Sequence, residues 1–283
     1  MNESYLRDDL ARAWAGRDPF AAAEALTGEV HRNVANRRTL RFELDGRSYF
    51  AKIHHGVGAA EILKNLMVWK TPVVDSANEF LACRHLAERG VAVPVVAGFG
   101  RRGFNPATRF SFLVTDALLH RESLESVADR WIVSPPPPKL KRRLIVAVAT
   151  LARRVHEAGV NHRDFYLCHL LVDRRALERG TIDLVVIDLH RAEIRRRIPR
   201  RWRVRDLGAL AFSSFDLGLT RGDWMRFIAA YTGRRDLRDV LDTQRPLWSA
   251  VRRRAERLYE KGRRQGLVKG RYRGLGESRA IER

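Results

Sequence analysis

The chain has 283 residues, 45% of them hydrophobic, and a formal net charge of +21. This length allows one bilobal domain or two small domains around a large core. Its two cysteines exclude a disulfide framework, the N-terminus has no secretory signal, and no apolar stretch approaches the ~20 residues that span a bilayer. We therefore expect a cytoplasmic protein with an acidic partner, whether nucleic acid, anionic lipid, an acidic saccharide or an acidic protein.

Residues 1–116 are predicted to form a β-rich lobe. Apolar and polar side chains alternate over 39–54 on both sides of Asp45-Gly46, a pattern typical of a β-hairpin. A helix is predicted over 75–90, and a second strand pair over 91–116, where β-branched and aromatic residues are frequent. Helical spacing predicts that the helix buries Phe80, Leu81, Leu86 and Ala87.

Residues 117–283 are predicted to form a mostly helical lobe. Apolar periodicity predicts helices over 122–132 and 139–158, and a buried strand over 181–188. Helical patterns follow in the remainder of the chain. A β-rich lobe before a helical lobe is the order found in protein kinases, so we expect an α+β, bilobal, protein-kinase-like fold.

The stretch NHRDFYLCHLLVD, residues 161–173, follows the long predicted helix. Phosphoryl transfer needs a cation on the nucleotide phosphates, carboxylates that hold Mg²⁺, and a carboxylate that receives the acceptor proton. Asp164 is the candidate catalytic base, with His162 and Arg163 beside it in the catalytic loop. Asp188 ends a buried strand, where a carboxylate is costly unless it binds a metal or a partner, so it is the candidate Mg²⁺ ligand.

A nucleotide site is predicted in the first lobe. Lys52 lies near the end of the hairpin's second strand, where a phosphate-contacting lysine is expected; an ordinary exposed lysine is the alternative. Glu79, on the following helix, is spaced to pair with Lys52, unless it only solvates the helix surface. Asp116, at the end of the second strand pair, is assigned to the same nucleotide site.

Four stretches together resemble the lipopolysaccharide kinase family, which has a protein-kinase-like fold: RRTLRFELDGRSYFAKIH, GVNHRDFYLCHLLV, VVIDLHRA and RRWRVRDLGALAFSS. The resemblance extends from about Pro19 to about Tyr231. It implies transfer of the γ-phosphate of ATP to a hydroxyl of the first heptose of the lipopolysaccharide inner core. It also implies peripheral contact with the cytoplasmic face of the inner membrane.

Matched by position, the resemblance implies that Asp164 is catalytic and that Lys52 contacts phosphate. Asp188 stands where protein kinases have Asp-Phe-Gly. Asp206 resembles the helix aspartate that supports the catalytic loop, with a plain acid at a helix N-terminus as the alternative. His169 stands where protein kinases place an Mg²⁺-binding asparagine. Because Mg²⁺ prefers oxygen, His169 is expected to bind a phosphate or Asp188, or to ligate a softer metal such as Mn²⁺.

Residues 191–205, RAEIRRRIPRRWRVR, contain eight arginines and one glutamate. Repulsion among these charges disfavours a merely solvated surface, and guanidinium groups match phosphates and carboxylates. We expect this segment to bind an anionic glycolipid acceptor, heptose-Kdo-lipid A. The predicted acceptor-binding residues are Arg191, Arg195, Arg196, Arg197, Arg200 and Arg201.

The sequence also leaves other functions open. A basic nucleic-acid-binding protein would use the same net charge, but no recognition motif is present and we expect no specific nucleic acid. A non-catalytic kinase-like scaffold would bind Mg²⁺-ATP without transfer, which the set Lys52, Asp164 and Asp188 argues against. The charge further admits an acidic protein partner such as an acyl carrier protein.

Overall fold

The structure is a computed structural model that describes residues 2–34, 36–56, 75–105, 107–234, 236–268 and 270. The chain divides into a first unit, residues 1–119 with 188–192, and a second unit, residues 120–187 with 193–283. The first unit therefore includes Asp188–Ala192, which a division between residues 116 and 117 would place in the helical part.

The first unit is built on a six-stranded antiparallel sheet with the order β1-β5-β6-β4-β3-β2. Its strands are β1 (Asn2–Leu6), β2 (Glu29–Val34), β3 (Arg37–Leu44), β4 (Arg47–His55), β5 (Val96–Arg102) and β6 (Phe110–Asp116). Its helices are α1 (Asp8–Ala13), α2 (Pro19–Glu24) and α3 (Ala77–Ala87). Helices α1 and α2 pack on the sheet through a core that includes Leu10, Phe20 and Phe112.

The predicted hairpin is confirmed. Strands β3 and β4 pair Leu44 with Arg47, so Asp45-Gly46 forms a two-residue turn. Both turn residues have positive φ, 49° and 73°. Short hairpin turns of the primed types require this conformation, and an Asp-Gly pair adopts it at little cost.

Helix α3 is also confirmed, but its buried face differs from the prediction. The Asp75 carboxylate accepts a hydrogen bond from the Ala77 amide at 3.0 Å and so starts the helix. Phe80 stacks on Phe99 of β5 with ring centroids 4.2 Å apart. Leu81 is 51% exposed and Ala87 is exposed as well, because the helix turns the face that carries Glu79 and Phe80 inward.

The second unit is mostly helical. Its short strands β7 (Arg121–Ser123), β9 (Leu170–Asp173) and β10 (Leu184–Val186) form one sheet, and β8 (Val160–Asn161) pairs with β11 (Glu193–Ile194). Its helices are α4 (Leu124–Val133), α5 (Pro138–Glu157), α6 (Arg174–Glu178), α7 (Arg200–Ser214), α8 (Arg221–Thr232) and α9 (Leu237–Arg264).

The long helix α5 buries Val148, Leu151 and Val155 and is followed closely by the His-Arg-Asp loop, residues 162–164. Helix α5 packs against α8, and α7 packs along α9. The helix predicted over 122–132 begins only at Leu124, because Arg121–Ser123 pairs with β9. Within the described ranges, no helix is both long enough and apolar enough to cross a bilayer.

Candidate active site

Lys52 and Glu79 form a largely buried ion pair in the first unit. Lys52 lies inside β4, paired with Thr39 on one side and Leu113 on the other. Its Nζ donates to Glu79 Oε1 at 2.5 Å, and the Glu79 side chain is only 5% exposed. Breaking such a pair leaves an uncompensated charge, at a cost of about 3–5 kcal/mol. The pair therefore holds the ammonium group in one position.

Asp188 lies beside this pair. Its Oδ1 is 3.7 Å from Lys52 Nζ and accepts a hydrogen bond from His190 Nδ1 at 2.6 Å. The backbone of Asp188 is left-handed, with φ at 62°. A non-glycine residue in this region carries strain of about 1–3 kcal/mol, which is tolerated mainly at functional sites. The 3₁₀ turn that follows, Leu189–Arg191, packs against α3.

The His-Arg-Asp loop, residues 162–164 of the second unit, is held by Asp206. This carboxylate on α7 is fully buried and accepts the backbone amides of His162 and Arg163, each at 2.8 Å. Arg163 has a positive φ of 74°. Its strained backbone is retained because both consecutive amides are held by one carboxylate. The turn presents Asp164 with a half-buried side chain, while Phe165 is 0% exposed and anchors the loop in the core.

The two histidines of the loop stack in parallel, with ring centroids 5.7 Å apart. His162 Nε2 donates to the carbonyl of Ile187 at 2.9 Å, which ties the loop to the chain just ahead of Asp188. His169 Nδ1 donates to the carbonyl of Asp164 at 2.7 Å. This bond places a proton on Nδ1 of His169, because a carbonyl oxygen can only accept.

His156 forms a further layer beneath the loop and was not predicted. Its Nε2 lies 3.3 Å from Asp206 Oδ2, and its Nδ1 lies 2.8 Å from the hydroxyl of Tyr231. Burial raises the pKa of Tyr231 to about 12. The sequence feature that could have indicated this role is the position of His156 on the same helical face as the apolar residues of α5. His190, the partner of Asp188, was also missed, although it lies only two positions further along the chain.

Asp116 is not brought to the Lys52–Glu79 pair. It lies opposite Tyr49 in the sheet, and its carboxylate oxygens accept from Arg7 at 2.6 and 2.9 Å. Hydrogen bonds to Asp9, together with these bonds to Asp116, hold the pKa of the Arg7 guanidinium well above its usual value. The carboxylate of Asp116 therefore fastens the N-terminal segment to the end of β6.

The arginine segment separates into structural and exposed members. Arg195 donates to Asn161 Oδ1 at 3.1 Å and also pairs with Glu193, while Arg200 donates to the carbonyl of Pro246. Arg191 is half-buried in the 3₁₀ turn after Asp188. Arg196, Arg197 and Arg201 are exposed, and so is Arg200 despite its bond to Pro246.

An α+β fold with a paired lysine and glutamate, an anchored His-Arg-Asp loop and a strained aspartate after a buried strand defines a protein-kinase-like phosphotransferase. The chain belongs to the lipopolysaccharide kinase (Kdo/WaaP) family, whose model matches residues 21–231. The enzyme class and the kinase-like α+β fold predicted from the sequence are thereby confirmed.

The chain is similar to known enzymes over most of its length. It is 48% identical to the lipopolysaccharide core heptose(I) kinase WaaP of Pseudomonas aeruginosa, over 92% of this chain and 97% of that protein. It is 45% identical to the enzyme of the same name from Escherichia coli K12, over 93% and 99%. A solved structure described as WaaP in complex with acyl carrier protein matches with a TM-score of 0.78 at 43% identity, over 91% of this chain and 99% of that one.

Proposed function

We propose that this kinase transfers the γ-phosphate of ATP to a hydroxyl of the first heptose of the lipopolysaccharide inner core. The observation that carries the proposal is the similarity to core heptose(I) kinases over nearly their full length. The geometry supports it, because each group that phosphoryl transfer requires has a candidate in a fixed position.

Lys52 is the residue we assign to the nucleotide phosphates. Its ammonium group is held by Glu79, so little side-chain freedom is lost when a phosphate binds. Because Arg7 already engages the carboxylate of Asp116, we assign that residue a supporting role in the first unit rather than a direct contact with ATP.

Asp164 is the residue we assign to the acceptor hydroxyl. A carboxylate hydrogen-bonded to the hydroxyl orients it and takes its proton as the bond to phosphorus forms. Asp206 acts through the backbone: it holds His162 and Arg163 and so sets the direction of Asp164. His169 holds the same loop through the Asp164 carbonyl.

Mg²⁺ fits the site through Asp188. Its carboxylate oxygens are hard donors, as Mg²⁺ prefers, and a bound Mg²⁺ would neutralise charge on the phosphates. In the part of the chain that the structure describes, no group of three or more His, Cys, Asp and Glu side chains gathers to hold a metal. Mg²⁺ is usually held by one or two carboxylates together with substrate phosphates and water. Ligation by His169 stays a prediction.

The acceptor is an anionic glycolipid in this proposal. Exposed Arg196, Arg197 and Arg201 supply guanidinium groups for its phosphates and carboxylates. The net charge of +21 supports peripheral binding at the cytoplasmic face of an anionic membrane, where each cationic residue adds about 1 kcal/mol.

We also propose an acyl carrier protein as partner, as in the related solved structure. Acyl carrier proteins are acidic, which complements the charge of this chain. The second unit further contains a largely apolar cavity of about 1360 Å³, lined by Val127, Ile145, Leu210, Phe215 and Trp224 among others. Such a cavity suits an acyl chain. Native mass spectrometry of the purified protein tests this: a bound acidic protein released by high salt supports the partner, and its absence at low salt contradicts it.

The direct test of the proposed reaction is transfer from labelled ATP to heptose-bearing core lipid. Asp164→Ala should lower kcat by about 100-fold or more, because the base is removed. Asp242→Ala, at an exposed aspartate of α9, is the matched control and should keep the wild-type rate. Comparable rates for wild type and Asp164→Ala would reject Asp164 as the base. Binding of Mg²⁺-ATP without transfer to any core lipid would favour a scaffold.

A further inference from the structure

A surface pocket of about 260 Å³ in the second unit is lined by Arg201, Trp202, Arg205 and Arg254. We call it the Trp202 pocket. Trp202 and Arg205 lie on α7, and Arg254 reaches the pocket from α9. Four guanidinium groups surround the indole ring: those of Arg163 and Arg205 at 5.3 Å, Arg195 at 5.6 Å and Arg201 at 5.8 Å from its centroid.

The positive charges of the pocket are only partly compensated. Glu193 pairs with Arg163 at 3.0 Å and with Arg195. For Arg201, Arg205 and Arg254, no carboxylate within the described ranges lies close enough to form an ion pair. Burial lowers the pKa of the Arg254 guanidinium, and the charge of Arg205 lowers it further. The pocket therefore concentrates cationic groups that repel one another.

The pocket also contains buried donors that lack acceptors. Nε of Arg205, Nε of Arg254 and Nε1 of Trp202 are buried and meet no hydrogen-bond acceptor among the described residues. Each buried, unsatisfied donor costs about 1–3 kcal/mol, and more when it is charged. An interior contact made only for stability would pair these groups, whereas an anion bound in the pocket would accept hydrogen bonds from the guanidinium groups that line it and neutralise the repulsion.

Gly208 makes room for Arg254. A Cβ atom at position 208 would lie 2.5 Å from Arg254 Cγ and 2.9 Å from its Cβ. The glycine on α7 thus lets the aliphatic stem of Arg254 pass close to that helix. This packing fixes the direction of a cation that has no partner within the described chain.

The Trp202 pocket adjoins the catalytic loop. The Arg163 guanidinium, which lies over Trp202, belongs to the residue immediately before Asp164. On the other side of Asp164, burial raises the pKa of Tyr166 and the charge of Asp164 adds to the rise, while the charges of Arg254 and Arg205 oppose it. Arg163, just before Asp164, therefore contacts the Trp202 pocket, and the arginines of the pocket act electrostatically on Tyr166, which follows Asp164.

We propose that the Trp202 pocket binds a phosphate or carboxylate group of the glycolipid acceptor and so positions the acceptor hydroxyl next to Asp164, the residue assigned as its base. This inference rests on the proposed function and adds Arg205 and Arg254 to the acceptor-binding residues. Arginine forks bind both anions in a bidentate manner, and they do so more strongly where water is partly excluded.

The test uses Arg254→Gln, which removes the charge but keeps the Cβ and Cγ that pack at Gly208. Arg253→Gln, the neighbouring exposed arginine, is the matched control. With deacylated core oligosaccharide as acceptor, Arg254→Gln should raise the acceptor KM about tenfold or more, the effect of losing a charged hydrogen bond. The KM for ATP should stay unchanged, and Arg254→Lys should give an intermediate acceptor KM. Arg205→Gln should repeat the effect from the other helix.

A binding measurement separates this inference from the reaction itself. Inorganic phosphate should raise the Tm of wild type and of Arg253→Gln more than that of Arg254→Gln. Without phosphate, Arg254→Gln should melt no lower than wild type, because it removes a repelling charge. Phosphatase treatment of the oligosaccharide distinguishes the two groups: the acceptor KM of wild type rises if a phosphate is recognised and stays the same if a carboxylate is.

Two results would overturn the inference: an unchanged acceptor KM in Arg254→Gln, or equal phosphate protection in Arg254→Gln and wild type. A lowered Tm of Arg254→Gln with an unchanged acceptor KM would make the residue structural. If wild type does not phosphorylate the oligosaccharide at all, the proposed function and the acceptor assignment fail. If inorganic phosphate nevertheless raises the Tm of wild type but not that of Arg254→Gln, an anion site in the pocket is supported.

Discussion

Replacement of Asp206 by asparagine tests how the His-Arg-Asp loop is held. The carboxylate accepts two consecutive backbone amides at 2.8 Å in a fully buried position. Hydrogen bonds to charged groups are worth about 1.5–3 kcal/mol each. Asparagine keeps one acceptor oxygen, but it turns an NH₂ group toward the other amide or toward His156. We therefore expect a loss of about 3 kcal/mol of unfolding free energy.

This loss corresponds to a fall in Tm of about 5–10 °C for a chain of this size. The strained φ of Arg163 then loses part of its restraint, so Asp164 is displaced. A displacement of about 1 Å can lower the rate about 100-fold, and kcat should fall while the KM for ATP changes little. Thermal unfolding and steady-state kinetics well below the Tm measure both effects. Asp242→Asn is the exposed control. A wild-type Tm and kcat in Asp206→Asn would refute this account of the loop.

Three further predictions concern other parts of the site. Glu79→Gln should raise the KM for ATP and lower kcat about tenfold. In a double-mutant cycle with Lys52→Met the losses in activity should not add, because the two residues act as a pair. Additive losses would contradict the pairing. His169→Asn should keep the wild-type rate and Mg²⁺ dependence, since the new amide can donate to the Asp164 carbonyl; a changed metal preference would instead identify a ligand. Burial and the charges of Arg37 and Lys52 lower the pKa of His54 to about 3. Below about pH 6.5 the unfolded chain therefore binds a proton at this histidine that the folded chain does not. The free energy of unfolding should fall by about 1.4 kcal/mol from this group at pH 5.5. Denaturant titrations of His54→Gln at several pH values should lack this contribution to the pH dependence of the unfolding free energy.

Sequence patterns correctly predicted the secondary-structure elements that are determined by residues close to one another in the chain. The Asp45-Gly46 turn needs positive φ at both positions, and the residue types alone indicate this. Helix α5 follows from a long apolar periodicity, and the His-Arg-Asp loop follows it directly. By contrast, β1 was missed, because Asn2 pairs with Arg102 across nearly the whole first unit. Strand pairing between residues so far apart in the chain cannot be recognised from a short window of sequence.

The site was predicted in its residue types more than in its contacts. The spacing of Lys52 and Glu79 indicated a pair, and the structure brings them to 2.5 Å. The spacing of Asp116 did not reveal that Arg7, from the N-terminal segment, would occupy its carboxylate. The Trp202 pocket depends on the packing of α7 against α9, so the role of Arg254 is visible only in three dimensions.

The most direct test of the central claim is mass spectrometry of core lipid from cells that lack this gene and carry either wild type or Asp164→Asn on a plasmid. The account predicts that cells without the gene lose one phosphate from the inner-core heptose, that wild type restores it and that Asp164→Asn does not, at equal protein levels. A core lipid with unchanged phosphate content in the absence of the gene would contradict the claim that this kinase phosphorylates the first heptose.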